Sequence, residues 1–96
     1  MDKKEIIKSR LFELEKLQLE LYGKDFLLTW ENSLDNLKAI MAVAEILQSL
    51  HWEKKPFRIF DYGLAVSIFR DNSTRTRFSF ASAVNALGLA LAELDE

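Results

Sequence analysis

The sequence predicts an α/β protein in which two amphipathic helices precede a β-α-β unit of a parallel sheet. The apolar, β-branched run Leu64–Phe69 has the length and composition of a strand buried on both faces. An alanine-rich stretch, residues 78–87, has the length of a helix of several turns, and Gly88 follows it where a left-handed C′ residue is expected. The apolar residues 89–94 suit either a second strand or a further helix by composition. The strand alternative would complete the β-α-β unit.

The first amphipathic helix is predicted over residues 2–22. Apolar side chains recur there at steps of three and four and would form one docking stripe: Ile7, Leu11, Leu14, Leu17 and Leu21. Gly23, directly after Tyr22, is expected to end this helix as its C′ residue.

The second helix is predicted to begin after Ser33 and to run to about Leu50. Ser33 is a good N-cap, and Asp35 lies in the first turn, where the helix dipole favours negative charge. The expected buried stripe consists of Leu37, Ile40, Met41, Ala44 and Leu47. Pro56 stops any continuation. His51, near the helix end, is more typical of a surface residue that complements the dipole than of a catalyst.

A short segment, residues 57–60, alternates between apolar and polar side chains at its start. It precedes Asp61-Tyr62-Gly63, a sequence typical of a turn. The sequence leaves open whether this piece pairs with the predicted strand Leu64–Phe69 or only leads into it.

Composition excludes several classes of protein. The chain is 49% hydrophobic and 29% charged, which is typical of a globular domain. A formal net charge of −2 argues against a nucleic-acid binder. The absence of cysteine excludes disulfides and thiolate metal sites, and a single histidine excludes a multi-histidine metal site. Charges recur through the first residues, so neither a signal peptide nor a membrane span is expected, and a cytoplasmic location follows as an expectation.

The polar turn between the predicted strand and helix has the chemistry of an anion site. Ser73 is a natural N-cap, and Thr74, Arg75 and Thr76 would fill the first helical turn. Backbone N–H groups without intrahelical partners, hydroxyl donors and a guanidinium would all meet a phosphate there. The glycines and lysine of a Walker A loop are missing, so the turn suits one compact phosphate rather than a nucleoside triphosphate. A capped helix whose arginines are surface salt-bridge partners remains equally open on the residues alone.

Ser73-Thr74-Arg75-Thr76-Arg77, directly after an apolar strand, resembles the carbamoyl-phosphate signature of the aspartate/ornithine carbamoyltransferase family. Its context is similar as well, since a phenylalanine ends the strand and Phe78-Ser79-Phe80 continues the helix. The preceding Arg70-Asp71-Asn72 departs from the glutamate and proline of the aspartate branch and from the Glu-Lys of the ornithine branch. The segment is therefore most similar to the less characterised carbamoyltransferases whose acceptor is not settled. The resemblance is strong over residues 57–96, loose over 24–52 and weak before that.

The resemblance implies that residues 1–96 are the N-terminal, incomplete part of a carbamoyl-phosphate-binding domain, and it favours a strand for residues 89–94. A full-length member transfers the carbamoyl group to an amine or amide nitrogen in amino-acid or nitrogen metabolism, without metal or cofactor, and assembles as a homotrimer. The acceptor of this chain is unknown, and the chain alone is expected to be inactive. The implied roles are catalysis by Arg75 and Thr76, binding of carbamoyl phosphate by Ser73, Thr74, Arg75 and Thr76, and support by Arg77.

An alternative from another class is a non-catalytic helical protein-interaction module. The two amphipathic helices supply about half of the chain, and each apolar stripe could serve a protein partner.

Overall fold

The computed structural model describes residues 2–70 and 74–95. Its elements are α1 (Lys3–Glu15), a short 3₁₀ turn (Thr29–Glu31), α2 (Leu34–Trp52), β1 (Leu64–Phe69), α3 (Thr74–Leu87) and β2 (Ala90–Asp95). The chain divides into two compact units, residues 1–55 and residues 56–96. The predicted α/β class and the predicted order of elements are confirmed.

Helix α1 begins at the predicted place and ends earlier than predicted. Asp2 caps it, because its Oδ1 accepts a hydrogen bond of 2.8 Å from the Glu5 N–H. The helix ends at Glu15, so the prediction of a helix over residues 2–22 is wrong in its C-terminal third.

Side chains of α2 explain why α1 stops. The backbone N–H of Gln18 donates to Oδ2 of Asp35 at 3.0 Å, and the N–H of Glu20 donates to Oδ1 of Asn36 at 3.0 Å. A continued helix would have used both N–H groups internally. The α2 side chains thus bind the backbone of this segment, which is not helical. Gly23 has a φ of +72°, but it belongs to a later turn and not to the end of α1.

Helices α1 and α2 run antiparallel within the first unit. Lys3 at the start of α1 places its Nζ 4.0 Å from the ring centroid of Trp52 at the end of α2. Further along α1, Arg10 Nε donates to Oε2 of Glu45 at 2.7 Å, and its Nη1 meets Oε1 of Glu13 at 2.8 Å. The hydrogen bond to Glu45, followed by the charges of both glutamates, raises the pKa of Arg10.

The N-terminus of α2 is as predicted, whereas its buried face is not. Ser33 Oγ accepts the Asn36 N–H at 3.1 Å, which confirms the N-cap. The fully buried positions are Asn36, Ala39, Ala42 and Ser49. The predicted stripe is wrong at Ile40, Met41 and Ala44, which are exposed, while Leu37 and Leu47 are half-buried. Small side chains at helical spacing let another helix approach closely, so the contact face of α2 is not its most apolar one.

Helix α2 ends in a Schellman motif just past the predicted Leu50. The N–H of Lys55 donates to the carbonyl of Leu50 at 2.9 Å, and the N–H of Lys54 donates to the carbonyl of His51 at 3.1 Å. Lys54 occupies the C′ position with a φ of +57°. A side chain with a Cβ is disfavoured in this left-handed conformation.

Lys54→Gly should therefore raise the free energy of unfolding by about 0.5–1 kcal/mol, because glycine adopts the left-handed region without that penalty. The measurement is urea unfolding followed by circular dichroism. Lys55→Gly is the matched control, since Lys55 has no positive φ and glycine there should not stabilise the protein. A loss of stability in Lys54→Gly would contradict this account of the helix end.

The second unit contains the predicted β-α-β unit. Strand β1 has the predicted bounds, Leu64–Phe69. It pairs in parallel with β2, in a register that runs from Leu64 opposite Ala90 to Phe69 opposite Asp95. The strand alternative for residues 89–94 is thereby confirmed, with β2 observed at Ala90–Asp95.

Burial of β1 on both faces was predicted wrongly. Ser67 is buried, and Ala65 and Phe69 on the same face are half-buried. On the other face Leu64, Val66 and Ile68 are exposed, as is Leu94 of β2 beside Ile68. Among the described residues of this unit, one helix, α3, packs on the sheet, so one face is covered and the other is not.

Helix α3 also ends in a Schellman motif, with Gly88 at the predicted C′ position. Gly88 has a φ of +94°, and its N–H donates to the carbonyl of Asn85 at 3.1 Å. Residues 57–60 lie along this helix end, because the Phe60 N–H donates to the carbonyl of Leu87 at 3.0 Å. This answers the question left open by the sequence: the piece contacts the end of α3 and is not a strand.

Candidate functional site

The candidate site lies at the carboxyl edge of the two-stranded sheet. Because β1 and β2 are parallel, their ends at Phe69 and Asp95 lie at the same edge. Helix α3 begins at Thr74, a few residues after β1 ends. Open α/β sheets bind their ligands at this edge, where a strand passes into the N-terminus of a helix.

The structure brings most of the predicted site residues together in one helical turn. Thr74, Arg75 and Thr76 form the start of α3 and are exposed, and Arg77 in the same turn is half-buried. Ser73 lies outside the described residues, so its role as the N-cap remains a prediction.

The charge pattern of this turn differs from that of the other two helices. Helix α1 carries Glu5 in its first turn and α2 carries Asp35, and each carboxylate complements the positive end of its helix dipole. The first turn of α3 has no acidic residue and contains Arg75 and Arg77 instead. A positive side chain at the positive end of a helix dipole favours a nearby anion, so the exposed Arg75 suits this turn to an anion.

The two arginines of the turn have different surroundings. Residues two positions apart on a helix differ by roughly 200° around its axis. Arg75 is exposed, whereas the guanidinium carbon of Arg77 lies 5.6 Å from the ring centroid of Phe69, and the Arg77 Nε is buried. Arg77 therefore packs against the end of β1, and Arg75 is left on another side of the helix.

Sequence reasoning treated Phe69 only as the end of a strand and missed its contacts with α3. Its ring meets Phe80 edge to face, with centroids 6.2 Å apart and an interplanar angle of 80°. It meets Arg77 on the same helix, three positions earlier. The sequence did contain a signal for these contacts. An aromatic residue ends the strand, and the next helix carries an arginine and an aromatic residue three positions apart.

The first unit contains a concave surface of a different kind. A groove of about 640 Å³ lies between α1 and α2. Arg10 and Glu45, which already pair with each other, are among its lining residues, together with Leu34 and Met41. None of the predicted site residues that the structure describes lines it.

Among residues 2–70 and 74–95, histidine, aspartate and glutamate side chains form no group of three or more that could hold a metal ion. Within the same residues, no helix combines the length and apolar character needed to cross a membrane.

Comparison with known proteins supports the family resemblance of the sequence. Residues 24–96 match the family described as aspartate/ornithine carbamoyltransferase, carbamoyl-P binding domain. Three curated relatives from Escherichia coli, of strains K12, O6:H1 and O157:H7, each bear the name "Putative carbamoyltransferase YgeW". Each is 52% identical to this chain over 84 residues, which is 88% of this chain and 21% of the relative. The chain thus spans about a fifth of the length of these relatives. Because the family match covers most of its residues and includes the Thr74–Leu87 helix with its basic first turn, the chain belongs to the aspartate/ornithine carbamoyltransferase family.

Proposed function

We propose that this chain binds carbamoyl phosphate for an enzyme that transfers the carbamoyl group to an amine or amide nitrogen. One observation carries the proposal: Thr74, Arg75 and Thr76 open α3 directly after a parallel strand, within the part of the chain that matches the family. The basic first turn and the positive end of the helix dipole supply what a phosphate requires.

In the proposed complex, the phosphate lies against the first turn of α3. Backbone amides and hydroxyls of Ser73, Thr74 and Thr76 donate hydrogen bonds to its oxygens, and Arg75 binds two of them. The Thr76 hydroxyl also reaches the carbamoyl oxygen, a role that follows from the family resemblance. Arg77 supports the turn from the sheet side.

The proposed reaction needs positioning and charge stabilisation. The acceptor nitrogen attacks the carbamoyl carbon, and the bond from that carbon to the bridging phosphate oxygen breaks. The phosphate leaves with the electron pair, and the nitrogen loses a proton. Arg75 and the helix N-terminus stabilise the negative charge on the departing phosphate, while Thr76 donates to the carbonyl oxygen.

The proposal extends to assembly and location. Assembly as a homotrimer is what the family resemblance implies, and a cytoplasmic location is the expectation drawn from the sequence. The acceptor is left as a nitrogen nucleophile of unspecified identity.

The proposal is tested by titrating the ¹⁵N-labelled chain with carbamoyl phosphate and, separately, with inorganic phosphate. Amide shift changes concentrated at residues 72–78 are the expected result. A titration in which these amides do not respond, while amides of the α1–α2 unit do, would contradict the anion site and favour the interaction-module alternative.

The 96-residue chain alone should show no carbamoyl transfer. The residues that would bind the acceptor are not among those assigned to the site, and effective catalysis requires both reactants to be held in place. A coupled phosphate-release assay with ornithine, aspartate and other amines measures this. Turnover well above the rate without protein would contradict the prediction.

A further inference from the structure

The ring of Phe69, at the end of β1, contacts α3 at two positions. It lies 5.6 Å from the guanidinium carbon of Arg77, within the range of a cation–π interaction. It also meets the ring of Phe80 edge to face at 6.2 Å. Arg77 and Phe80 are separated by three positions, so both lie on the same face of α3.

Two contacts to one helix face restrict the rotation of that helix about its axis. With Arg77 and Phe80 both against Phe69, the face that carries them is turned toward the sheet. Arg75 stands roughly 200° from Arg77 around the axis and is exposed. Rotation of the first turn would move Arg75 and the adjacent N–H groups together, because they belong to the same turn.

We infer that Phe69 is a positioning residue of the anion site: through Arg77 and Phe80 it sets the rotation of the first turn of α3, and so directs Arg75 and the first amides toward the phosphate. This inference rests on the proposed function. Phe69 does not contact the ligand in this proposal, and the helix transmits the effect of Phe69 to the site.

The test compares two substitutions that remove the same number of carbon atoms from adjacent residues of β1. Phe69→Leu removes the aromatic face that contacts Arg77 and Phe80. Ile68→Ala truncates a side chain that is 60% exposed on the other face of the strand. Affinity for inorganic phosphate and for carbamoyl phosphate is measured by amide shift titration, together with the melting temperature of each variant.

Phe69→Leu should weaken the affinity for both anions by at least about threefold, the loss expected for a cation–π contact together with an aromatic pair. Phe69→Tyr keeps the ring face and should bind like the wild type. Ile68→Ala should also keep the wild-type affinity, whatever its melting temperature. Equal affinities of Phe69→Leu and Ile68→Ala would overturn the inference.

A double-mutant cycle separates positioning from general stability. If Phe69 acts through Arg77, Phe69→Leu should have less effect on phosphate affinity when Arg77 is already methionine. The same loss in both backgrounds would show that the ring does not act through Arg77 and would overturn the inference. If Phe69→Leu does not fold, the phosphate affinity of Arg77→Met tests the inference instead. Wild-type phosphate affinity in Arg77→Met would overturn it.

Failure of the inference and failure of the proposed function are distinguishable. If the wild type binds both anions and Phe69→Leu binds them equally well, only the positioning role of Phe69 is wrong. If the wild type shows no shift change at residues 72–78 with either anion, the proposed function is wrong and the inference with it.

Discussion

Gly88→Ala should lower the free energy of unfolding of the 56–96 unit by about 3 kcal/mol. Gly88 has a φ of +94°, a conformation that residues with a Cβ rarely adopt. A Cβ at this position would overlap the carbonyl oxygen of Phe60 and lie 3.2 Å from its carbonyl carbon. Both obstacles are backbone atoms, so no side-chain rotation can relieve them. The substitution must shift either Phe60 or the end of α3.

The movement would also break the contacts that join residues 57–60 to α3. The Phe60 N–H donates to the carbonyl of Leu87, and Arg58 Nη1 donates to the carbonyl of Asn85 at 3.4 Å. Gly23→Ala is the matched control: Gly23 also has a positive φ, of +72°, but an added Cβ would meet nothing within 4 Å. Gly23→Ala should lower the free energy of unfolding by only about 1 kcal/mol. Urea unfolding followed by circular dichroism measures both, and equal losses would contradict the proposed overlap.

Arg75→Ala should weaken binding of carbamoyl phosphate by at least about tenfold. A hydrogen bond to a charged group contributes about 1.5–3 kcal/mol, which corresponds to roughly 10- to 150-fold in affinity. Arg75 is exposed in the first turn of α3, at the positive end of the helix dipole. The measurement is the amide shift titration of the chain with carbamoyl phosphate.

Two other arginine variants serve as controls for Arg75→Ala. Arg58→Ala removes the same charge at the opposite end of α3, where the arginine donates to a carbonyl, and it should leave the affinity unchanged. Arg77→Ala should mainly lower the melting temperature, because Arg77 packs on Phe69, and it should reduce affinity only a few-fold. A larger loss of affinity in Arg77→Ala than in Arg75→Ala would show that the first turn of α3 is rotated differently.

Strand β1, the N-cap of α2 and the glycine after α3 were predictable from the sequence because local chemistry determines them. The residues of β1, apolar except for Ser67, have turn residues on both sides, and the structure has the strand at the predicted bounds. Ser33 at the start of α2 and Gly88 after α3 act in the backbone conformations that their residue types favour. The position of the basic turn at the start of α3 followed from these same signals.

The wrong predictions from the sequence concern segments whose structure depends on side chains far away in the sequence. The leucine spacing of residues 17–21 continues the helical period of α1, yet Asp35 and Asn36 bind the backbone N–H groups of that segment. In α2, a search for apolar spacing finds Ile40 and Met41 and overlooks the small and polar residues that form its buried face. The contact of Phe69 with Arg77 likewise depends on how α3 returns along β1, which local sequence does not specify.

The division into two units has a consequence for spectroscopy of the protein. Both tryptophans, Trp30 and Trp52, belong to residues 1–55, and they are 80% and 58% exposed. Residues 56–96 contain Tyr62 but no tryptophan. Intrinsic tryptophan emission therefore reports on the α1–α2 unit, and a change confined to the unit that carries the basic turn would not be seen at that wavelength. Phe78→Trp, at a side chain of α3 that is 71% exposed, would place a fluorophore beside that turn and make its unfolding visible.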